Sequence, residues 1–153
     1  MIELNDASSD WFEHAFGAMY ARRYGHRDDT EAQRQVRQLV DWLEPPTGCR
    51  VLDVCCGGGR HLEPLLAMGF SAWGVDLSSD LLALAARRPA LRGRLVRADA
   101  RALPFVVCFD WLVNLFTSFG YFRDEADNRR QLAGMAEALR PGGRLVLDLP
   151  NRT

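Results

Sequence analysis

An apolar run, Val51-Leu52-Asp53-Val54, breaks into Cys55-Cys56-Gly57-Gly58-Gly59-Arg60-His61. The run ends in a carboxylate, a glycine-rich turn follows, and an apolar-periodic segment comes next. That order is a strand, a tight loop and a helix start. It constrains the fold more than any other stretch, because in open α/β sheets this unit aims backbone N–H groups at a ligand beyond the strand's carboxyl end. A second short apolar run ends at Asp76. An acidic residue there is placed to accept hydrogen bonds from ribose hydroxyls, so the pattern predicts a nucleoside-containing ligand.

The loop argues against two common ligand classes. A dinucleotide fingerprint needs a third glycine where this chain has Leu62. A P-loop needs Gly-Lys-Ser/Thr, and the chain contains no lysine.

Periodicity places the remaining elements. Residues 9–24 read as a helix, with Trp11, Phe12, Phe16, Met19 and Tyr20 at three- and four-residue spacing. Asp28 or Thr30 can cap a second helix running to Leu43, with Val36, Leu39, Val40 and Leu43 on its apolar face. Pro45-Pro46-Thr47-Gly48 stops it. The pattern then predicts strand 50–54, helix 59–68, strand 70–75, helix 79–88 closed by Pro89, strand 93–97, strand 109–114, helix 124–139 and strand 144–149. Alternating strands and helices imply an α/β fold: an open, mainly parallel, twisted sheet with helices on both faces. Val51-Leu52 and Trp111-Leu112-Val113 are nearly all apolar, as strands covered on both faces require.

With 153 residues the chain fits one domain, 1–153, with residues 1–45 as a helical N-terminal lid and 46–153 as the Rossmann-like core. A net charge of −1 gives no electrostatic case for nucleic acid or an anionic membrane as partner. All 19 basic residues are arginine and they are scattered, which reads as codon bias rather than a phosphate-binding face. No apolar run approaches the ~20 residues needed to span a bilayer. The polar, acidic N-terminus carries no signal-peptide pattern, and the expected compartment is the cytoplasm. Cys49, Cys55, Cys56 and Cys108 include no C-x-x-C and read as small buried thiols. His14, His26 and His61 lack metal-ligand spacing, so no metal is expected.

Leu52-Asp53-x-Cys55-Cys56-Gly57-x-Gly59 resembles the first motif of class I S-adenosylmethionine-dependent methyltransferases, E/D-x-G-x-G-x-G, with Cys55 in place of its first glycine. Four further segments agree in order. Gly74-Val75-Asp76-Leu77-Ser78 resembles the family's second-strand end. Arg97-Ala98-Asp99-Ala100 with Leu103-Pro104-Phe105 is similar to its adenine-binding turn. Phe109-Asp110 through Asn114 resembles its fourth strand, and Leu139-Arg140-Pro141-Gly142-Gly143-Arg144-Leu145 the turn into its fifth. The resemblance covers roughly residues 9–151.

The resemblance implies S-adenosylmethionine as cofactor, with S-adenosylhomocysteine as product. Asp53, Cys55, Gly57, Gly59, Asp76, Leu77, Asp99, Ala100 and Asn114 would form its site. For Asp53 the competing reading is a loop-holding role, through hydrogen bonds to the loop's amides. Asp99 would accept from the adenine amino group while the Ala100 N–H meets a ring nitrogen. Tyr20 and Tyr24, four apart, share a helix face. In the family, aromatics here close over the sulfonium, which gains cation–π attraction, and Arg27 would pair with the methionine carboxylate. A surface helix with arginine stems lying along it is the competing reading. His61 reads as a helix-start residue first and a general base second.

Asn114 to Tyr121 follows the fourth strand, and its Thr117, Ser118 and Gly120 suggest a shaped loop. Similar segments occur in small-molecule methyltransferases. The absence of Asn/Asp-Pro-Pro-Tyr/Phe argues against nucleic acid as acceptor. The expected reaction is methyl transfer to nitrogen or oxygen of a small molecule.

The family sheet usually carries two more strands after the fifth, and this chain stops at Asn151-Arg152-Thr153. An apolar fifth strand at a sheet edge invites pairing with another chain. Three explanations stand: a fragment that keeps the cofactor site, a homodimer through that edge, or a compact variant. The alternative to an enzyme is a fragment or pseudoenzyme that binds the cofactor without turnover. An NAD-dependent oxidoreductase is disfavoured by Leu62.

Overall fold

The computed structural model describes residues 19–20 and 29–151. Met19 and Tyr20 are helical; the rest of the helix expected over 9–24, including Tyr24, and Arg27 lie outside the described residues. The elements are α1 (Asp29–Leu43), β1 (Arg50–Val54), α2 (Leu62–Ala67), β2 (Ser71–Asp76), α3 (Ser79–Ala85), a 3-10 turn at Pro89–Leu91, β3 (Leu95–Arg97), β4 (Phe109–Asn114), α4 (Glu125–Ala138) and β5 (Leu139–Leu147).

The strands form one sheet in the order β3-β2-β1-β4-β5, every pairing parallel. Alternation along the strands sends side chains to two layers. Val51, Trp111 and Val113 pack with Val36 of α1, Leu62 and Leu65 of α2 and Ala85 of α3. Leu52, Val54 and Leu112 pack with Met135 and Ala138 of α4 on the opposite face. Both layers exclude water from β1 and β4, which is why those strands carry continuous apolar runs. Each fully buried Leu or Val contributes about 1.5–3 kcal/mol.

Three boundaries differ from the periodicity by three residues or more, each for a backbone reason. The helix expected from residue 59 begins at Leu62, because Gly59 sits at φ +75°, outside the helical region, and Leu62 N–H donates to the Gly59 carbonyl across a turn at 3.1 Å. The helix expected to reach 88 ends at Ala85, since Arg88 precedes Pro89 and is extended at φ −81°, ψ 112°. β5 begins at Leu139 rather than 144. Leu139 pairs with Phe109, and after a register shift Arg144 pairs with Trp111, so Pro141-Gly142-Gly143 is carried as an irregularity inside the strand.

All four cysteines are free thiols, but only Cys56 is fully buried; Cys49, Cys55 and Cys108 are half-buried, correcting the expectation of buried thiols throughout. No helix among the described residues is long and apolar enough to cross a membrane.

Candidate functional site

The carboxyl ends of β1, β2 and β3 open into a cavity of about 460 Å³, walled by the loop after β1, the turns after β2 and β3, and the segment after β4. Cavities of this size hold drug-sized ligands.

The loop after β1 is built from interlocking hydrogen bonds. Cys56 N–H donates to the Val75 carbonyl of β2 at 3.0 Å, and Gly59 N–H to the Cys56 carbonyl at 3.0 Å. Arg88 Nε donates to the Gly58 carbonyl at 3.2 Å. The same guanidinium pairs with Asp29 of α1 at 2.8 Å and with Glu63 of α2. Cys55 stands where the family motif has glycine, and its φ of +63° is the left-handed conformation glycine would adopt without cost. Burial, reinforced by Asp76 and Asp53, pushes the Cys55 thiol far up, so it is protonated and inert near neutrality. Gly59 is held at φ +75°, a backbone conformation that residues with a side chain rarely adopt. A Cβ there would lie 2.4 Å from Leu91 Cδ1.

Asp76 does the loop-holding that the competing reading gave Asp53. Its Oδ2 accepts from Gly57 N–H at 2.8 Å and its Oδ1 from Ser78 N–H at 2.8 Å. Ser78 in turn caps α3, its Oγ accepting from Leu81 N–H at 3.2 Å. Asp53 is 2% exposed, and among the described residues its Oδ2 has no hydrogen-bond partner. Burial, then the charge of Asp76, raise its pKa to about 8 against the opposing pull of Arg60. It is therefore largely a neutral carboxylic acid at pH 7.

Across the cavity, burial works to raise the Asp99 pKa, but Arg101 outweighs it and holds the carboxyl below the usual range. Arg101 forks onto Asp99, with Nη2 at 2.6 Å from Oδ2, and its Nη1 reaches Asp127 of α4 at 2.9 Å. The same guanidinium lies 4.8 Å from the Phe122 ring centroid.

The segment after β4 forms the remaining wall. Phe116 and Thr117 both adopt positive φ, +62° and +53°. Asp148, beyond β5, fixes the first by accepting from Phe116 N–H at 2.9 Å. Ser118 Oγ donates to the Leu115 carbonyl at 2.9 Å, and the Arg60 guanidinium stacks 4.8 Å from the Phe116 ring. His61, 5% exposed, enters the cavity wall at the start of α2. Its Nε2 lies 2.9 Å from Gln35 Oε1, whose amide nitrogen donates to Glu31 at 3.2 Å. That chain assigns the proton to Nε2 and leaves Nδ1 as an acceptor. Burial, then Arg60, lower the His61 pKa to about 4, so the ring is neutral and only weakly basic.

Of the residues expected from sequence, Tyr20, Asp53, Cys55, Gly57, Asp76, Leu77, Asp99 and Ala100 line this one cavity. Gly59 and Asn114 support it from outside the lining. Asn114 is fully buried, and its Nδ2 donates to the Val54 carbonyl at 2.8 Å, bracing the end of β1 against β4. Sequence reasoning missed Arg60, Arg101, Phe122 and Gln131. The first two sit within motifs where glycines and carboxylates draw attention first. Gln131 carries a signal that periodicity discards, a polar residue one turn from the buried Met135.

The methyltransferase domain family model matches residues 51–143. A glycine/sarcosine N-methyltransferase of Halorhodospira halochloris is 33% identical over 128 residues, covering 80% of this chain and 48% of that protein. A demethylmenaquinone methyltransferase of Renibacterium salmoninarum is 32% identical over 153 residues, covering 94% of this chain and 62% of that protein. Among solved structures, CalS10, an amino pentose methyltransferase from Micromonospora echinaspora captured with S-adenosylmethionine, is 34% identical with a TM-score of 0.68. The match covers 87% of this chain and 56% of CalS10. The chain thus spans about half to three-fifths of the length of these relatives.

Proposed function

This chain belongs to the methyltransferase domain family, and on that premise we propose that it binds S-adenosylmethionine in the cavity above β1, β2 and β3. From there a methyl group passes to a nitrogen or oxygen of a small-molecule acceptor. The observation that carries the reading is convergence: the glycine loop, Asp76 and the Asp99-Ala100 turn, from three separate strands, line one cavity of about 460 Å³. Two buried oxygens on its walls, Asp53 Oδ2 and Gln131 Oε1, have no hydrogen-bond partner among the described residues, which fits a ligand bearing donors.

In this reading Asp76, already oriented by the Gly57 and Ser78 amides, receives the ribose hydroxyls. Asp99, held ionised by Arg101, faces the adenine amino group, with Ala100 N–H and Leu77 beside the base. The neutral acid Asp53 and the Gly57 loop meet the amino-acid end. Tyr20 closes the cavity from the N-terminal side, with Tyr24 and Arg27 as proposed partners there. Bound S-adenosylmethionine supplies an electrophilic methyl on a positively charged sulfur whose departure leaves a neutral group. The chain's own work is then alignment and exclusion of water. His61, neutral with a free Nδ1, can take a hydrogen bond from an acceptor but holds a proton weakly.

We also propose that residues 1–153 act as one domain and that β5, at the end of the strand order, pairs with a second copy. The proposed compartment is the cytoplasm, in keeping with four free thiols. Calorimetric titration with S-adenosylhomocysteine tests the donor site. Micromolar binding that Asp76→Ala removes, with no binding of NAD, is expected. A folded chain that fails to bind refutes the reading. Release of S-adenosylhomocysteine with an amine or hydroxyl acceptor then separates methyl transfer from binding alone.

A further inference from the structure

Gln131 sits in the middle of α4, 1% exposed, one turn before the fully buried Met135. Met135 packs in a layer with Leu52, Val54, Val75 and Leu112. An aliphatic side chain at 131 would leave no polar atom buried there. The chain instead buries an amide whose Oε1 accepts no hydrogen bond among the described residues. Such an orphan lowers stability, and a native one calls for a reason. The side chain lines the cavity described above.

The position of α4 says which end of the cavity it addresses. Asp127, one turn earlier on the same helix, takes the Arg101 guanidinium at 2.9 Å, and Arg101 is forked onto Asp99. Ala98 and Ala100 pack on the layer that Met135 occupies. Gln131 therefore sits on a helix tied through Asp127 and Arg101 to the turn after β3.

We propose that Gln131 is a specificity-determining residue for the purine of the bound donor. Its amide reads the edge that carries the 6-amino group and N7. An amide offers an acceptor and a donor side by side, and adenine offers the complementary pair on that edge. The assignment rests on the proposed S-adenosylmethionine site, and the experiment keeps the two separable.

The full chain, Gln131→Leu and Gln131→Met are titrated with S-adenosylhomocysteine and with its 7-deaza analogue, in which N7 is replaced by C–H. Ligand-free thermal unfolding is measured beside them. The unsubstituted chain is expected to prefer S-adenosylhomocysteine over the analogue about tenfold, the effect of one lost hydrogen bond. Both variants are expected to bind S-adenosylhomocysteine about tenfold more weakly, to lose the preference, and to melt no lower than the unsubstituted chain. A purely structural amide gives the opposite thermal result. Variants that keep the preference, or that both melt several degrees lower, overturn the assignment while leaving the donor site standing. A folded, unsubstituted chain that binds neither compound overturns both.

Discussion

Replacing Asp53 by Asn is expected to change how stability depends on pH, in a window that the cavity's own titrating groups define. A carboxyl has a pKa of about 3.9 in an unfolded chain, and burial beside Asp76 raises that of Asp53 to about 8. Between those values the folded chain holds a proton that the unfolded chain has released. Stability therefore falls as pH rises, by about 1.4 kcal/mol per unit. His61 acts oppositely. Its pKa is lowered from 6.5 to about 4, so between those values the unfolded chain holds the extra proton and stability rises with pH. The two slopes cancel up to about pH 6.5. From there to about pH 8 the His61 contribution is gone, and Asp53 takes roughly 2 kcal/mol, or about 4–8 °C in Tm, from the ligand-free chain. The raised Asp76 adds to the fall with the same sign. The raised thiols enter only above about pH 8.5, where unfolded cysteines ionise. Thermal or urea unfolding of the ligand-free chain in quarter-unit steps reads the effect. Asp53→Asn should flatten the 6.5–8 limb and leave the chain at least as stable at pH 8. A native profile that is level or rising over that limb, or an Asn variant that keeps the fall, would refute the assignment of a neutral Asp53.

Substitutions at two loop positions separate conformation from packing. Gly59→Ala should cost at least about 2 kcal/mol in urea unfolding, because left-handed backbone strain adds to a Cβ placed 2.4 Å from Leu91 Cδ1; a loss under about 0.5 kcal/mol would show that the loop yields. Cys55→Gly should stay within about 1 kcal/mol of the parent, relief at φ +63° offsetting lost packing and a freer unfolded chain. Cys55→Val at the same position should lose about 2 kcal/mol or more, since a β-branched side chain crowds a left-handed backbone; equal stabilities of the two variants would contradict that account.

The parts of this fold legible in the sequence are those in which local and tertiary demands agree. Apolar runs covered on both faces marked β1 and β4, and the glycine run after Asp53 marked the loop. Asp76 was found because a carboxylate ending a strand beside such a loop has few other uses. Its second task, bracing Gly57, falls to Asp53 in the competing reading, because sequence places Asp53 nearer and does not convey that its carboxyl end is buried away from the amides. Gln131 was invisible for a related reason. Helical periodicity sorts residues by polarity, so a polar residue is assigned to solvent, and only packing shows one held inside. The start of β5 was misplaced because Pro141-Gly142-Gly143 looks like a break, whereas pairing of Leu139 with Phe109 continues the ladder across it. Arg101 could not be weighed from sequence, as its role depends on Asp127, which lies on a different element.

Arg88 ties three parts of the molecule with one guanidinium: the Gly58 carbonyl inside the loop, Glu63 on α2, and Asp29 on the surface at the first turn of α1. Mechanically this is a lever with its fulcrum at Glu63. The long arm ends at an exposed carboxylate outside the cavity lining, and the short arm ends on the Gly58 carbonyl of the loop. Displacement of the start of α1 is thereby geared directly to the loop. A charge change at Asp29, outside the cavity lining, removes one anchor of the guanidinium that holds the Gly58 carbonyl, and belongs with the site when variants of this chain are interpreted.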